Sequence, residues 1–168
     1  MSAEREKGPA SAGPIFDAVA RATRVLTVAV LVALVTLVCG EAFLRSLFNY
    51  SLGFAEELTG YCVVLLTFFG AALALRSGAL FQVHFLFDNI PAGARSLATR
   101  LFVVVAFIIC VVLIWKTGDL ALSSLDRGKF APTVLRTPLW IPQLLMPLGL
   151  SLIGFFLVEK FVMSFRKS

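Results

Sequence analysis

Four long runs of apolar side chains constrain this chain more than any other feature. Val25 to Gly40 carries no charge, and the run resumes past Glu41 to Leu44. Leu58 to Leu75 is the second, and Leu101 to Trp115 the third, extending back to Leu97 with Arg100 at its edge. Leu139 to Val158 is the fourth. Each reaches roughly 18–20 residues, and about 20 residues at 1.5 Å rise cross the ~30 Å hydrocarbon core of a bilayer. One such run could be a buried helix of a soluble domain. Four of them in 168 residues could not all be covered, because only 15% of the residues are charged against 59% hydrophobic. A soluble domain carries about 25% charged residues to build its polar skin. Strands of a membrane barrel would alternate apolar and polar over about ten residues, and these runs are apolar all round. The sequence predicts an all-α integral membrane protein with four transmembrane helices. The expected spans are 22–44, 58–76, 97–116 and 138–160. They form one membrane domain over 21–168, behind a polar cytoplasmic tail over 1–20.

Charge sets the expected orientation. With the N-terminus inside, ten Lys/Arg residues fall on that side and five on the other. By the positive-inside rule both termini are expected in the cytoplasm. The basic residues are spread between apolar runs rather than gathered on a groove-sized patch, so nucleic acid is not an expected partner. No cleavable signal is expected, since no A-x-A-like site follows the first run. Between helices two and three, Ala79 to Phe87 is almost wholly apolar but too short to span. It is expected to lie in the membrane interface, before Asn89, Ile90 and Pro91 break it.

Chemistry-bearing constellations are scarce. The sole histidine, His84, falls in that interfacial segment, and haem in a helical bundle needs axial ligands, often paired histidines. Cys39, Cys62 and Cys110 lie singly on three helices, which suits neither a disulfide framework nor a dithiol centre. No catalytic, cofactor-binding or metal-binding residues are expected, and the chain is not expected to be an enzyme. A charge at the bilayer centre costs roughly 2.5–3.5 kcal/mol on insertion scales and marks function where it occurs. Glu41, Glu57, Arg100 and Glu159 all fall at span ends instead. A chain that moved ions by itself would be expected to carry such a mid-span charge.

What remains points to packing and helix ends. Ala29, Ala33, Thr36 and Gly40 on helix one form a stripe of small residues. Gly60, Thr67, Ala71 and Ala74 follow the same rhythm on helix two, and such stripes let helix backbones approach closely. Glu41 and Arg45 stand four residues apart where helix one leaves the membrane. Glu56 and Glu57 open helix two, where the helix dipole favours acids. Pro138 suits the first turn of helix four and Trp140 suits the aromatic belt. Pro142 and Pro147 remove ladder donors, so a local kink against protein is expected there. Glu41, Arg45, Glu56, Glu57, Arg76, Trp140 and Pro142 are the candidate helix-end or partner-contact residues.

With these residues in order, the chain resembles the small membrane subunit of tripartite ATP-independent periplasmic (TRAP) transporters, the DctQ-like family. The residues that carry the resemblance are Arg45, Phe54-Ala55-Glu56-Glu57-Leu58, Tyr61, Phe69-Gly70-Ala71-Ala72, Arg76 and Gly78. Pro91 and Arg95 follow, then Thr137-Pro138-Leu139-Trp140-Ile141-Pro142 and Met146-Pro147-Leu148-Gly149. One stretch departs from the family. Where relatives often have a His-Ile-x-Val-Asp-like sequence, this chain has Leu80-Phe81-Gln82-Val83-His84. The resemblance implies a large multi-spanning partner subunit, a periplasmic substrate-binding protein, and uptake of an organic acid driven by a sodium gradient. It implies a bacterial inner membrane, a scaffolding role and no cofactor. The competing expectation is a free-standing small transporter or channel acting as a homo-oligomer. A membrane enzyme or redox anchor is a more distant one.

Overall fold

A computed structural model describes residues 12–78, 92–131 and 135–166, with 92–99 and 165–166 described as backbone only. The interfacial segment expected over 79–87, with His84, lies outside the described residues. Among the described residues there are four helices: α1 (Pro14–Phe48), α2 (Ala55–Ser77), α3 (Ala92–Asp126) and α4 (Trp140–Arg166). All four are long and apolar enough to cross a membrane. The all-α, four-span class expected from the sequence is the observed one.

Each helix end follows from its local sequence. Pro14 opens α1, where its missing N–H would be unpaired in any case. Helix therefore begins inside the stretch expected as tail. Asn49 closes α1 in the left-handed conformation, at φ 51°. Gly78 closes α2 at φ 84° and returns its N–H to Ala74 and Leu75 carbonyls. A side chain would be strained at that φ. The third helix runs well past its expected end near 116. Ala121 and Ser124, three residues apart on one face, are both buried, and this packing carries the helix on to Asp126. At 35 residues, α1 and α3 are each about 52 Å long and exceed the ~30 Å apolar core.

The connection from α3 to α4 is clasped rather than loose. The Ala131 N–H donates to the Thr137 carbonyl at 2.9 Å, and the Leu139 N–H donates to the Lys129 carbonyl at 2.9 Å. Phe130 and Pro138 form an isolated antiparallel bridge. Pro138 therefore precedes α4 instead of occupying its first turn. Pro142 is the third residue of α4, where no ladder N–H is lost. The helix also continues through Pro147, whose carbonyl accepts from Ser151 Oγ at 2.6 Å.

Helix α4 is the hub, packing against α3 and α2, while α1 leans on α2. The core joins Ala20, Ala72, Leu75, Val103, Cys110, Leu150, Phe156 and Leu157. Its tightest helix contact is at Gly149, where an added Cβ would overlap Cβ and Cγ of Phe68 on α2. The small-residue stripes lie elsewhere. Ala29, Ala33 and Thr67 are exposed, and Ala71 and Ala74 are half-buried. A Cβ added at Gly40 or Gly60 would meet nothing within 4 Å. Most of α1 is bare: Val25, Leu26, Val28, Leu31, Val32, Val35 and Val38 are each 47–64% exposed. An apolar exterior of this kind is unstable in water and natural in lipid or against another apolar subunit.

The Gly149 contact yields a prediction of sign. Gly149→Ala is expected to lower the thermal midpoint in detergent, because overpacking a tight contact costs about 1–3 kcal/mol. Gly70→Ala, with open space around its Cβ, is expected to leave the midpoint unchanged or raise it, since Ala is about 1 kcal/mol better than Gly within a helix. Equal behaviour of the two variants in a melting series would refute the assignment.

Candidate functional site

At the end of the bundle where α1 begins and α2 and α4 finish, three helices converge on one guanidinium. Arg76 stands in the last turn of α2, where the helix dipole favours a cation. Its Nε donates to Glu159 Oε2 at 2.9 Å and its Nη2 donates to Glu159 Oε1 at 3.2 Å, a two-pronged pairing across α2 and α4. Nη2 also pairs with Asp17 Oδ1 in the first turn of α1. The Arg76 side chain is 8% exposed and that of Glu159 is 1% exposed, whereas Asp17 is 49% exposed. The guanidinium carbon lies 5.7 Å from the centroid of the Phe156 ring, within cation–π range. The Ala12 N–H donates to Glu159 Oε1 at 3.3 Å, tying the chain ahead of α1 to α4. Phe16 of α1 stacks on Phe155 of α4 with centroids 4.7 Å apart. Charge, ring and backbone contacts thus fasten the start of α1 to the rest of the bundle.

The opposite end is built from shorter links. The Tyr61 hydroxyl donates to Glu57 Oε1 one turn earlier on α2. The Ser51 hydroxyl donates to Glu41 Oε1 at 3.1 Å. Among the described residues no ion pair joins Glu41 to Arg45, despite their spacing. Instead both line an open groove of about 460 Å³ with Val38, Ala42, Ser46 and Glu56. Trp140 and Pro142 are half-buried at the start of α4.

Of the residues singled out from sequence, Arg76 is therefore the centre of a buried network. Glu41, Arg45 and Glu56 share a surface groove at the other end, near Glu57. Sequence reasoning missed Asp17 and Glu159 as its partners. Asp17 falls in what reads as a polar tail. Glu159 is followed by Lys160, which invites a local pairing, although neighbours i and i+1 on a helix do not face each other. The usable signal was an acid ending a long uncharged run, which needs a partner once buried. Cys39 is exposed, Cys62 half-buried and Cys110 buried, and all three are free thiols. Among the described residues, no three His, Cys, Asp or Glu side chains gather to hold a metal ion.

The network makes a graded prediction. Removing one partner of a buried ion pair costs about 3–5 kcal/mol, because the other charge is stranded. Arg76→Ala and Glu159→Ala are each expected to lose that much stability, read as unfolding in a denaturant series in one detergent. Asp17→Asn, half-exposed, is expected to lose about 0.2–1 kcal/mol. Replacing both Arg76 and Glu159 with Met is expected to recover most of the loss.

The chain was compared with known proteins. The family model described as "Tripartite ATP-independent periplasmic transporters, DctQ component" matches residues 32–167. Among curated proteins, the chain is similar to the ectoine TRAP transporter small permease protein TeaB of Halomonas elongata. The two are 25% identical over 104 residues, 62% of this chain and 53% of that protein. The chain thus spans about half the length of the curated relative it matches.

Proposed function

The chain belongs to the DctQ component family of tripartite ATP-independent periplasmic transporters, and on that premise we propose that it is a static brace for the large, multi-spanning transport subunit. The complex takes up an organic acid delivered by a periplasmic binding protein and driven by a sodium gradient. The chain resides in a bacterial inner membrane with both termini in the cytoplasm. Its part is to give the moving domain of the large subunit a fixed body to move against. Glu41, Arg45, Glu56 and Glu57, with Trp140 and Pro142, form the outer contact surface. The small-residue stripe of Ala29, Ala33 and Gly40 gives the partner a close approach along α1, and that of Gly60, Thr67, Ala71 and Ala74 does so on α2.

The observation that carries this reading is the bare length of α1. It is pinned at its start by Asp17, Phe16 and Ala12. Beyond Thr23 it presents a long apolar surface with small residues on it and no buried side chain. A solute pathway needs polar groups lining a passage between helices. The core between these helices is instead hydrocarbon, and the buried Arg76–Glu159 pair sits at one end of it.

Co-expression with a large TRAP subunit from the same organism tests the proposal. The two are expected to elute together in mild detergent. Substitution of Ala29 and Ala33 with Leu is expected to weaken that association without lowering the yield of the small subunit alone. Liposomes holding only this chain are expected to show no solute uptake. Uptake by the chain alone would instead favour the homo-oligomeric transporter.

A further inference from the structure

A second feature stands apart from both helix-end clusters. Val103 and Leu157, 2% and 3% exposed, form the floor of a groove between α3 and α4. Val104, Phe107, Val158 and Phe161 form its walls, and the first three of these are 38–40% exposed. The volume is about 150 Å³ and every lining side chain is hydrocarbon. A cavity of about that size lined by such residues stays dry and takes a six-carbon guest such as benzene.

The end of the groove is polar. Arg100 lies three and four residues before Val103 and Val104, and so on their face of α3. Ser164 lies three residues after Phe161 on α4. The two are joined: Arg100 Nε donates to Ser164 Oγ at 3.2 Å and Nη2 donates to the Ser164 carbonyl at 3.3 Å. The last turn of α4 therefore holds the guanidinium one helical turn, about 5 Å, from the apolar walls.

We propose that this groove binds an anionic phospholipid. A stretch of acyl chain lies between Val104, Phe107, Val158 and Phe161, and the phosphate is held by Arg100. The spacing matches a lipid, which places its phosphate at the edge of the hydrocarbon. The planar fork of an arginine suits phosphate oxygens. Basic pockets between transmembrane helices are the kind of site that recognises anionic headgroups, and this end of the bundle also carries Arg21, Arg24 and Lys160. A packed partner helix is the poorer occupant, since it would cover the Arg100 charge at a desolvation cost. The inference concerns this chain by itself and holds whatever its role in transport.

The test uses the full-length chain in nanodiscs of phosphatidylcholine doped with phosphatidylglycerol bearing a photoreactive acyl chain. A parallel sample carries the same label on phosphatidylcholine. Peptide mass spectrometry after irradiation is expected to place the label on Val104, Phe107, Val158 or Phe161. The phosphatidylglycerol probe should be preferred about fivefold, the ratio that ~1 kcal/mol of attraction per basic side chain gives. Arg100→Gln should abolish the preference while leaving labelling by the phosphatidylcholine probe. Val158→Trp should fill the groove and remove its labelling, whereas Val32→Trp on the bare face of α1 should not. A circular dichroism melt of each variant separates loss of the site from loss of the fold. Three results would overturn the inference: label spread evenly over the exposed faces of α1 and α3, equal labelling by the two probes, or loss of groove labelling when the large subunit is bound.

Discussion

Arg76 and Glu159 meet where α2 and α4 finish on the same side of the bundle, and their pairing decides how the other helices are arranged. A carboxylate 1% exposed cannot remain charged without a partner, because the desolvation penalty amounts to several kcal/mol per ion. The two-pronged geometry offsets that penalty only when α2 and α4 hold one register. Gly149 against Phe68 fixes the same two helices farther along, so α2 and α4 are locked at two heights. Helix α3 then packs on α4, while α1 leans on α2 and is tied to the charged end by Asp17, Phe16 and Ala12. A buried ion pair is weak evidence for net stability, since packed hydrocarbon can match it. It is good evidence for register, because a shifted helix would strand a charge.

This arrangement leaves the helices unequal. Helix α4 is buried on several sides and carries the largest buried side chain, Phe156. Helix α1 leans on α2 along one side and is bare on the other. The two long helices also exceed the length a bilayer core requires. Charge and hydrogen bonding are concentrated at the two ends, and hydrocarbon fills the space between.

Much of this was legible in the sequence, for a physical reason. The bilayer demands about 20 apolar residues per span, and that demand is written directly in the runs from Val25, Leu58, Leu101 and Leu139. Helix ends were less legible. The extension of α3 to Asp126 depends on the burial of Ala121 and Ser124, and neither residue type announces burial. Partners were least legible. Arg76 was marked by its position at a helix end, but Asp17 and Glu159 lie 59 and 83 residues away from it, and only the fold brings them within reach. Small-residue spacing also misleads about which neighbour is approached. Gly40 and Gly60 fit the stripe pattern yet have open space where a Cβ would stand, while Gly149, outside both stripes, has the tightest surroundings of the described glycines.

That last contrast bears on how the family uses its helices. A small residue in a membrane helix has two physical uses: to admit a neighbouring backbone, or to spare a surface that another molecule will cover. Gly149 serves the first use, since Phe68 occupies the space a Cβ would need. Ala29, Ala33 and Gly40 of α1 do not: the two alanines are exposed, and among the described residues nothing lies within 4 Å of a Cβ added at Gly40. A stripe left open in this way fits the second use. The matched family region begins at residue 32, after Asp17 and Thr23 but before Ala33, Thr36 and Gly40. The contacts that fasten the start of α1, through Ala12, Phe16 and Asp17, thus lie ahead of the matched region, and the open positions Ala33 and Gly40 lie within it. The internal contact and the open stripe are therefore carried by different helices, Gly149 on α4 and Ala29, Ala33 and Gly40 on α1.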